Sequence, residues 1–496
     1  LPANLLASRQ PKRRISSEAL SLSGQGELQR QLYQGIRQLI LAGTWHSGAL
    51  LPSERQLAQD LKLSRSTVQQ GLQQLVAEGY LQAQQGRGYQ IVASLPDQFF
   101  HAAATATLNQ STLPFNHYGL TCKQGKSHGR LQPGITDYRQ FPWRLWQQLL
   151  QQHSSRKALQ GMAEPLGYLP LRQALVQYLR QYRQLKCTEQ HILITSGAQQ
   201  ALFIAAKLVA RAGEPVLMES PGYPRLKQAL QLAELEVNYV PAAGPEGLDL
   251  TQLPVAADAK ALFLTPSHQY PGGGIMPLNQ RLALLNWAQQ NRCWLIEDDY
   301  DSEFQYQHRP VASLQGLANG QGVIFAGSFS KTLFPALRLG YLVAEPQLIA
   351  SASAIQQALH GDVPLLPQAA LADFITEGHF NRHLRKMRRH YQQQKAMAIA
   401  LLQQQLPDCR ILATQAGLHL TLLIPTLTDD LALSQLLQQQ GFKVQPFSRY
   451  CFLNEPERGL VIGIADADQA TIMQLIAVLK NLSALIANGA AQPPAP

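Results

Sequence analysis

Five short apolar runs between residues 191 and 327 leave few folds open: HILIT, PVLME, ALFLT, CWLIEDD and VIFAG. Each is too short for a helix and shows no apolar/polar alternation, and longer stretches of helical character separate them. A strand that is apolar on both faces must be covered on both faces, and strands alternating with helices meet that need as a parallel sheet between helical layers. The expected class is α/β with a large, mostly parallel sheet, over a domain spanning residues 128–488. After about residue 375 the pattern changes. A long polar-faced helix, HFNRHLRKMRRHYQQQKAMAIALLQQQL, leads into a smaller α+β segment (about 376–488), and residues 489–496 read as a disordered tail. The basic run RHLRKMRRH reads as a solvated helix face.

In open α/β sheets ligands bind at the carboxyl ends of the strands, and the polar residues gather there. HILIT runs into Ser196, Gly197, Ala198 and Gln199, which open a helix whose free N–H groups suit a phosphate. ALFLT is followed by His268, Gln269 and Tyr270. CWLIEDD brings Glu297, Asp298 and Asp299 together with Tyr300 and Asp301, and so many acids repel one another unless a cation sits among them. VIFAG leads into GSFSKTLFPALRLGYLV, where Lys331 lies in a polar turn between two strands, with Ser328 and Ser330 before it and Arg338 after it. A lysine amine can form a Schiff base with an aldehyde, a carboxylate can keep a pyridine nitrogen protonated, and an arginine with helix N–H groups can neutralise a phosphate dianion. The set describes a site for pyridoxal 5'-phosphate.

The first hundred residues are of another kind. The net charge is +10, and residues 1–95 hold ten Lys/Arg against five Asp/Glu, half of the surplus in a fifth of the chain. Such a concentration suits contact with phosphates. Residues 1–24 read as a flexible basic arm. Within 25–94, Leu28, Leu32, Ile36, Leu39 and Ile40 share a helix face that ends at Gly43. Ser53 and Ser64 are placed to cap two further helices, with Gln56 at the capping-box position, and YLQAQQGRGYQIVA reads as a hairpin turning at QGRG. Three helices and a hairpin, with a tight turn between the second and third helices, make a winged helix-turn-helix. Arg65, Ser66, Thr67 and Gln69 crowd the start of the third helix, from which base edges are reached. Residues 95–127 show no period and are expected to be a linker. No apolar run reaches the ~18 residues of a membrane span. PKRR near the start precedes no apolar stretch, so a signal peptide is not expected. Five scattered cysteines without a CxxC pair read as reduced thiols in a cytoplasm, and no structural metal is expected.

LPSERQLAQDLKLSRSTVQQGLQQLVAEGYL resembles the DNA-binding domain of the GntR family. That resemblance implies contacts to a double-stranded DNA operator from Arg55, Arg65 and Thr67, with the wing contact at Gly86 and Arg87. Gln69 departs from the arginine of some members and implies a shift towards adenine. Residues 128–488 resemble the fold-type I aminotransferases, and the whole chain resembles the MocR/GabR-type transcriptional regulators through PSHQYP, IEDDYDSEF and GSFSKTLFPALRLGY. The resemblance implies Lys331 as the lysine bonded to the cofactor and Asp298 as the partner of the pyridine nitrogen. It gives Tyr300 to the ring hydroxyl, Tyr223 to ring stacking, and Ser328 and Arg338 to the phosphate. It also implies a bacterial cytoplasmic homodimer, in which the DNA-binding unit of one chain rests on the aminotransferase-like domain of the other. Aminotransferases commonly hold the substrate carboxylate with an arginine where this chain has Val461. Arg449 of PFSRY and Arg225 of GYPR are the expected substitutes, binding an amino-acid or amine effector, or the cofactor itself is the signal. The expected function is effector sensing by a DNA-binding regulator with residual transaminase activity left open. The alternatives are a working aminotransferase with an appended DNA-binding module, and a dimerisation scaffold.

Overall fold

Two serines set the start of the helices that matter most in the first part of the chain. Ser53 accepts the Gln56 N–H at 3.2 Å and opens α2 (Glu54–Asp60), and Ser64 accepts the Thr67 N–H at 3.1 Å and opens α3 (Arg65–Ala77). Each cap satisfies a helix N–H that would otherwise lack a partner. They follow α1 (Leu28–Leu41), and a hairpin of β1 (Leu81–Gln84) and β2 (Gly88–Ile91) closes the unit. Leu32, Ile36, Leu57, Val68, Leu72 and Leu75 have no exposed surface and form its core, each fully buried side chain contributing roughly 1.5–3 kcal/mol. Tyr89 on β2 donates to the Glu54 carboxylate at 2.8 Å and ties the wing to α2. Ahead of α1, Ser17–Ala19 form a 3-10 turn and Leu20 packs into the same core, although the sequence reads there as part of the arm.

The computed structural model describes residues 15–20, 22, 27–84, 86–93, 129–161, 164–242, 244–254, 258–306, 311–412, 416–453 and 457–487. The linker expected over 95–127, the tail over 489–496 and most of the arm lie outside the described residues. The chain divides into two units, residues 1–115 and 116–496.

In the second unit α4 (Trp143–Ser154) and α5 (Leu169–Arg183) precede β3 (Ile192–Thr195). There follow α6 (Ala198–Val209), β4 (Pro215–Ser220), α7 (Pro224–Leu232), β5 (Glu236–Pro241), β6 (Ala261–Leu264), α8 (Leu278–Asn291) and β7 (Trp294–Asp299). A short α9 (Leu314–Leu317), β8 (Val323–Ser328) and β9 (Gly340–Val343) complete a seven-stranded sheet of order β3-β9-β8-β7-β6-β4-β5. Strand β9 is antiparallel to both its neighbours, and the other pairings are parallel. All five apolar runs form strands. The one added at the edge, β5, is half exposed and alternates in burial, so it offers no continuous apolar run. Parallel strands place the turns after β3, β4, β6, β7 and β8 on one edge of the sheet, and β9 enters from that edge, so residues far apart in sequence share one pocket.

Helices α10 (Pro346–His360), α11 (Leu365–Thr376) and the long α12 (His379–Gln405) lead into the smaller segment. There β10 (Arg410–Leu412), β11 (His419–Leu423), β12 (Gln445–Pro446) and β13 (Gly459–Gly463) form an antiparallel sheet of order β10-β11-β13-β12, with α13 (Asp430–Gln439) against it and α14 (Gln469–Ala487) packed on α12. No helix among the described residues is long and apolar enough to cross a membrane.

Candidate cofactor site and candidate nucleic-acid interface

Strand β7 ends in three buried carboxylates, and their partners tell them apart. Arg281, itself fully buried, lies 3.7 Å from Glu297, which also accepts the Gln315 N–H. Arg183 lies 2.6 Å from Asp299, and Ser302 donates to the same carboxylate at 2.8 Å. Asp301, just beyond the strand, takes His268. Asp298 points the other way along the pleat; like one oxygen of Glu297 and one of Asp299 its Oδ1 is buried and unbonded, but no arginine and no donor among the described residues meets its carboxylate at all. Burial and the neighbouring Asp299 push its carboxyl up to about 7, and Lys331 opposes the shift. Glu219 at the end of β4 is pushed up to about 8 by burial and is answered by the Thr265 N–H and hydroxyl.

Lys331 leaves the turn after β8 half-buried, and its Nζ donates to the Gly134 carbonyl at 2.5 Å. A Cβ at Gly134 would stand 2.8 Å from that nitrogen, so a side chain there would press on the amine. Nothing in the sequence pattern marks Gly134, because the contact is tertiary. Ser330 donates its N–H to Ser328 Oγ at 3.1 Å, shaping the turn.

At the start of α6, Gly197 adopts φ +95° and a Cβ on it would meet the Arg338 guanidinium at 3.6 Å. Gly340 approaches the same turn so closely that a Cβ would lie 2.8 Å from Gly197 Cα. The guanidinium therefore faces the first turn of α6, where Ala198 and Gln199 are half-buried, and the two together make an anion cradle. Gln199 spends its amide on the Arg225 carbonyl at 2.7 Å.

Aromatic side chains line the remaining walls. Tyr270 meets Tyr223, Tyr300 and Tyr450 edge-on at 5.9, 5.4 and 5.4 Å. Tyr300 stacks on His268 at 5.7 Å, and its hydroxyl lies 2.8 Å from His268 Nδ1. Burial raises the Tyr223 phenol, while Arg225 and Arg338 pull it down, so both arginines lie near its hydroxyl. The PFSRY segment of the small sheet docks on SPGYPR through Gly222 N–H to the Tyr450 carbonyl at 2.9 Å and Phe452 N–H to Ser220 Oγ at 2.9 Å. That docking brings Arg449, exposed and bonded to Gln445 at 3.2 Å, beside Tyr450. The pocket thus combines an amine, a buried carboxylate lacking a partner, an anion cradle and an aromatic lining, the parts that would hold a pyridine ring bearing an aldehyde and a phosphate.

In the first unit Arg55, Arg65, Ser66 and Gln69 are exposed, as are Gly86 and Arg87 at the hairpin tip, and Thr67 is half-buried. Gly86 and Gly88 take φ of +74° and +92°, which the tight tip requires. Ser66 and Thr67 place their hydroxyls 2.8 and 2.7 Å from Ser64 Oγ, a capping cluster that the sequence pattern did not reveal. Arg65 stands free of that cluster at the helix start.

Residues 28–91 match the family described as bacterial regulatory proteins, gntR family, and residues 134–479 match aminotransferase class I and II. The chain is 33% identical to the "Probable rhizopine catabolism regulatory protein MocR" of Rhizobium meliloti, over 94% of this chain and 96% of that one. It is 30% identical to the "HTH-type pyridoxine biosynthesis transcriptional regulator PdxR" of Corynebacterium glutamicum, over 92% and 96%. Among solved structures it is similar to LysN, the alpha-aminoadipate aminotransferase of Thermus thermophilus, in complex with N-(5'-phosphopyridoxyl)-L-leucine. The TM-score is 0.66 at 27% identity, over 72% of this chain and 93% of that one.

Proposed function

Because the chain belongs to the MocR/GabR-type regulators, in which a GntR-family DNA-binding unit precedes an aminotransferase class I and II domain, we propose that it binds pyridoxal 5'-phosphate at Lys331 and lets the state of that pocket set its affinity for an operator. The observation that carries the cofactor assignment is the buried Asp298 carboxylate, which has neither an ion pair nor a hydrogen bond among the described residues, whereas Glu297 and Asp299 each have an arginine and a donor even though one oxygen of each is also unbonded. A protonated ring nitrogen is the partner that position lacks. When bound, the cofactor supplies an aldehyde reactive towards amines and an electron-withdrawing ring.

The chain's own residues do the rest. Lys331 offers its amine from the turn after β8, and Asp298 holds the proton on the ring nitrogen. Tyr300 directs its hydroxyl at the ring oxygen, with Tyr270 and His268 behind it, and Tyr223 covers the ring. Arg338, Ser328, Ser330 and the N–H groups of Ala198 and Gln199 bind the phosphate. Arg225 and Arg449 take the carboxylate of an amino-acid effector, and Arg449 arrives on the small sheet, so effector binding bears on the contact between that sheet and the pocket. Arg55, Arg65, Ser66, Thr67, Gln69, Gly86 and Arg87 face the operator, and the regulator acts as a homodimer. The intact Lys331 and Asp298 and the similarity to LysN support a second reading, slow transamination, alongside sensing.

Selection from random duplexes gives an operator, and binding titrations then test the proposal. The midpoint moves when pyridoxal phosphate or an amino acid is added to wild-type protein, and Arg449→Ala blunts the response to a carboxylate effector while leaving basal DNA affinity unchanged. A midpoint indifferent to the cofactor and to every amino acid contradicts the proposal.

A further inference from the structure

Behind Tyr300, His268 belongs to a set of buried side chains of which Asp301 and Lys395 have been given no task above. His268 Nδ1 is 2.9 and 3.1 Å from the two Asp301 oxygens and 2.8 Å from the Tyr300 hydroxyl. Asp301 Oδ2 also accepts the Leu418 N–H at 3.3 Å, from the strand entry of the small sheet. Lys395 on α12 donates to the Ala416 carbonyl; burial lowers its ammonium to about 8, and the Asp301 carboxylate opposes that shift. His268, Asp301 and Lys395 are only 2%, 1% and 3% exposed, so water does not compete for these bonds.

One ring nitrogen carries at most one proton, and beside a carboxylate that proton sits on Nδ1 and points at Asp301. A protonated Nδ1 cannot accept from Tyr300. The phenol oxygen then faces the imidazole through its lone pair, and its own proton turns towards the pocket. Without Asp301, Nδ1 is free to act as an acceptor and draws the Tyr300 proton away from the pocket. Asp301 therefore sets the direction of a hydroxyl it does not touch. The small segment reaches the same pair directly: Gly417 has φ +79°, and a Cβ there would stand 1.8 Å from His268 Cε1 and 2.8 Å from Asp301 Oδ2. His419 completes a trio with His268 and Asp301 whose ligand atoms lie within 4.8 Å of one another. Burial first, then the neighbouring His268 and Lys395, hold the His419 imidazole well below its usual range.

We propose that His268 and Asp301 are positioning residues that aim the Tyr300 hydroxyl into the cofactor pocket, held in that state by the Leu418 amide and Lys395 of the smaller segment. The proposal rests on the cofactor assignment made above. It gives the small segment a way to report its position to the ring: a shift of residues 416–418 strips Asp301 of its backbone donor and loosens the aim of Tyr300.

The test is a double-mutant cycle on pyridoxal phosphate affinity, measured by titrating cofactor-free full-length protein: wild type, Asp301→Asn, Tyr300→Phe and the double variant. Asp301→Asn should weaken affinity about tenfold or more, as loss of a supporting partner typically does. In the Tyr300→Phe background the same change should alter it by no more than about twofold, the residue of independent effects. Equal losses in both backgrounds, or none in either, overturn the proposal. If melting shows that Asp301→Asn does not fold, His268→Gln runs the same cycle. Nitrogen NMR of the cofactor-free protein, with His268→Gln to identify the signal, reads the tautomer directly, and an unprotonated Nδ1 or stoichiometric bound zinc overturns the proposal whatever the cofactor does. Wild-type protein that binds no cofactor at all, yet has a protonated Nδ1, sinks the functional assignment and not the geometry of the pair.

Discussion

Asp298 shows at the scale of one residue how a binding site is held at a cost to the fold. Its carboxyl is raised by burial from 3.8 to about 7, whereas in the unfolded chain it ionises near the lower value. Between the two, the folded state holds a proton that the unfolded chain has lost, so stability from this group falls as the pH rises through that window and the penalty is complete above about 7. Asp298→Asn should therefore stabilise cofactor-free protein at pH 8, raising its melting temperature there, and change it little near pH 4. The same substitution should weaken pyridoxal phosphate binding. Unchanged melting at pH 8 together with unchanged affinity would remove Asp298 from the role assigned to it. The sequence shows that acids crowd this strand end but not which one lacks a partner. The cations that answer Glu297 and Asp299 are Arg281 and Arg183, one from α8 and one from α5, and only the folded chain brings them to β7.

Helix α3 carries the nucleic-acid prediction at the scale of an element. Its start combines a cap that stabilises the helix with an arginine that does not. Ser64→Ala should cost the DNA-binding unit about 1 kcal/mol of stability and release the Ser66 and Thr67 hydroxyls from the cluster that orients them. Arg65→Ala should leave the melting temperature alone and cost ~1–3 kcal/mol of specific operator binding. Operator titrations and thermal melts on both variants separate the two effects, and Arg65→Ala binding as tightly as wild type would take the recognition role from this helix. Elements such as these were readable because their signals are local: Ser53 and Ser64 sit where caps belong, and Leu32, Ile36, Leu72 and Leu75 keep the helical spacing. Strand β5 was not, since an edge strand needs only alternate burial. The segment around Gly134, which meets Lys331, was not either, since its signal is a contact across the fold.

For the whole molecule, the sequence order of the two units and the gathering of polar side chains at the strand ends were both legible, because parallel strands must collect their carboxyl-end turns on one edge. What was not legible is the coupling behind the pocket: the link runs from Tyr300, His268 and Asp301, which lie in the strand-end motifs, to Leu418 and Lys395, which no sequence pattern ties to them. The account as a whole depends on Lys331 being the residue that carries pyridoxal 5'-phosphate. Borohydride reduction of the full chain after incubation with the cofactor, followed by peptide mapping, tests this directly. The account predicts one phosphopyridoxyl label, on Lys331, and none in the Lys331→Ala protein. A label on another lysine, or an unlabelled wild-type chain, would contradict it.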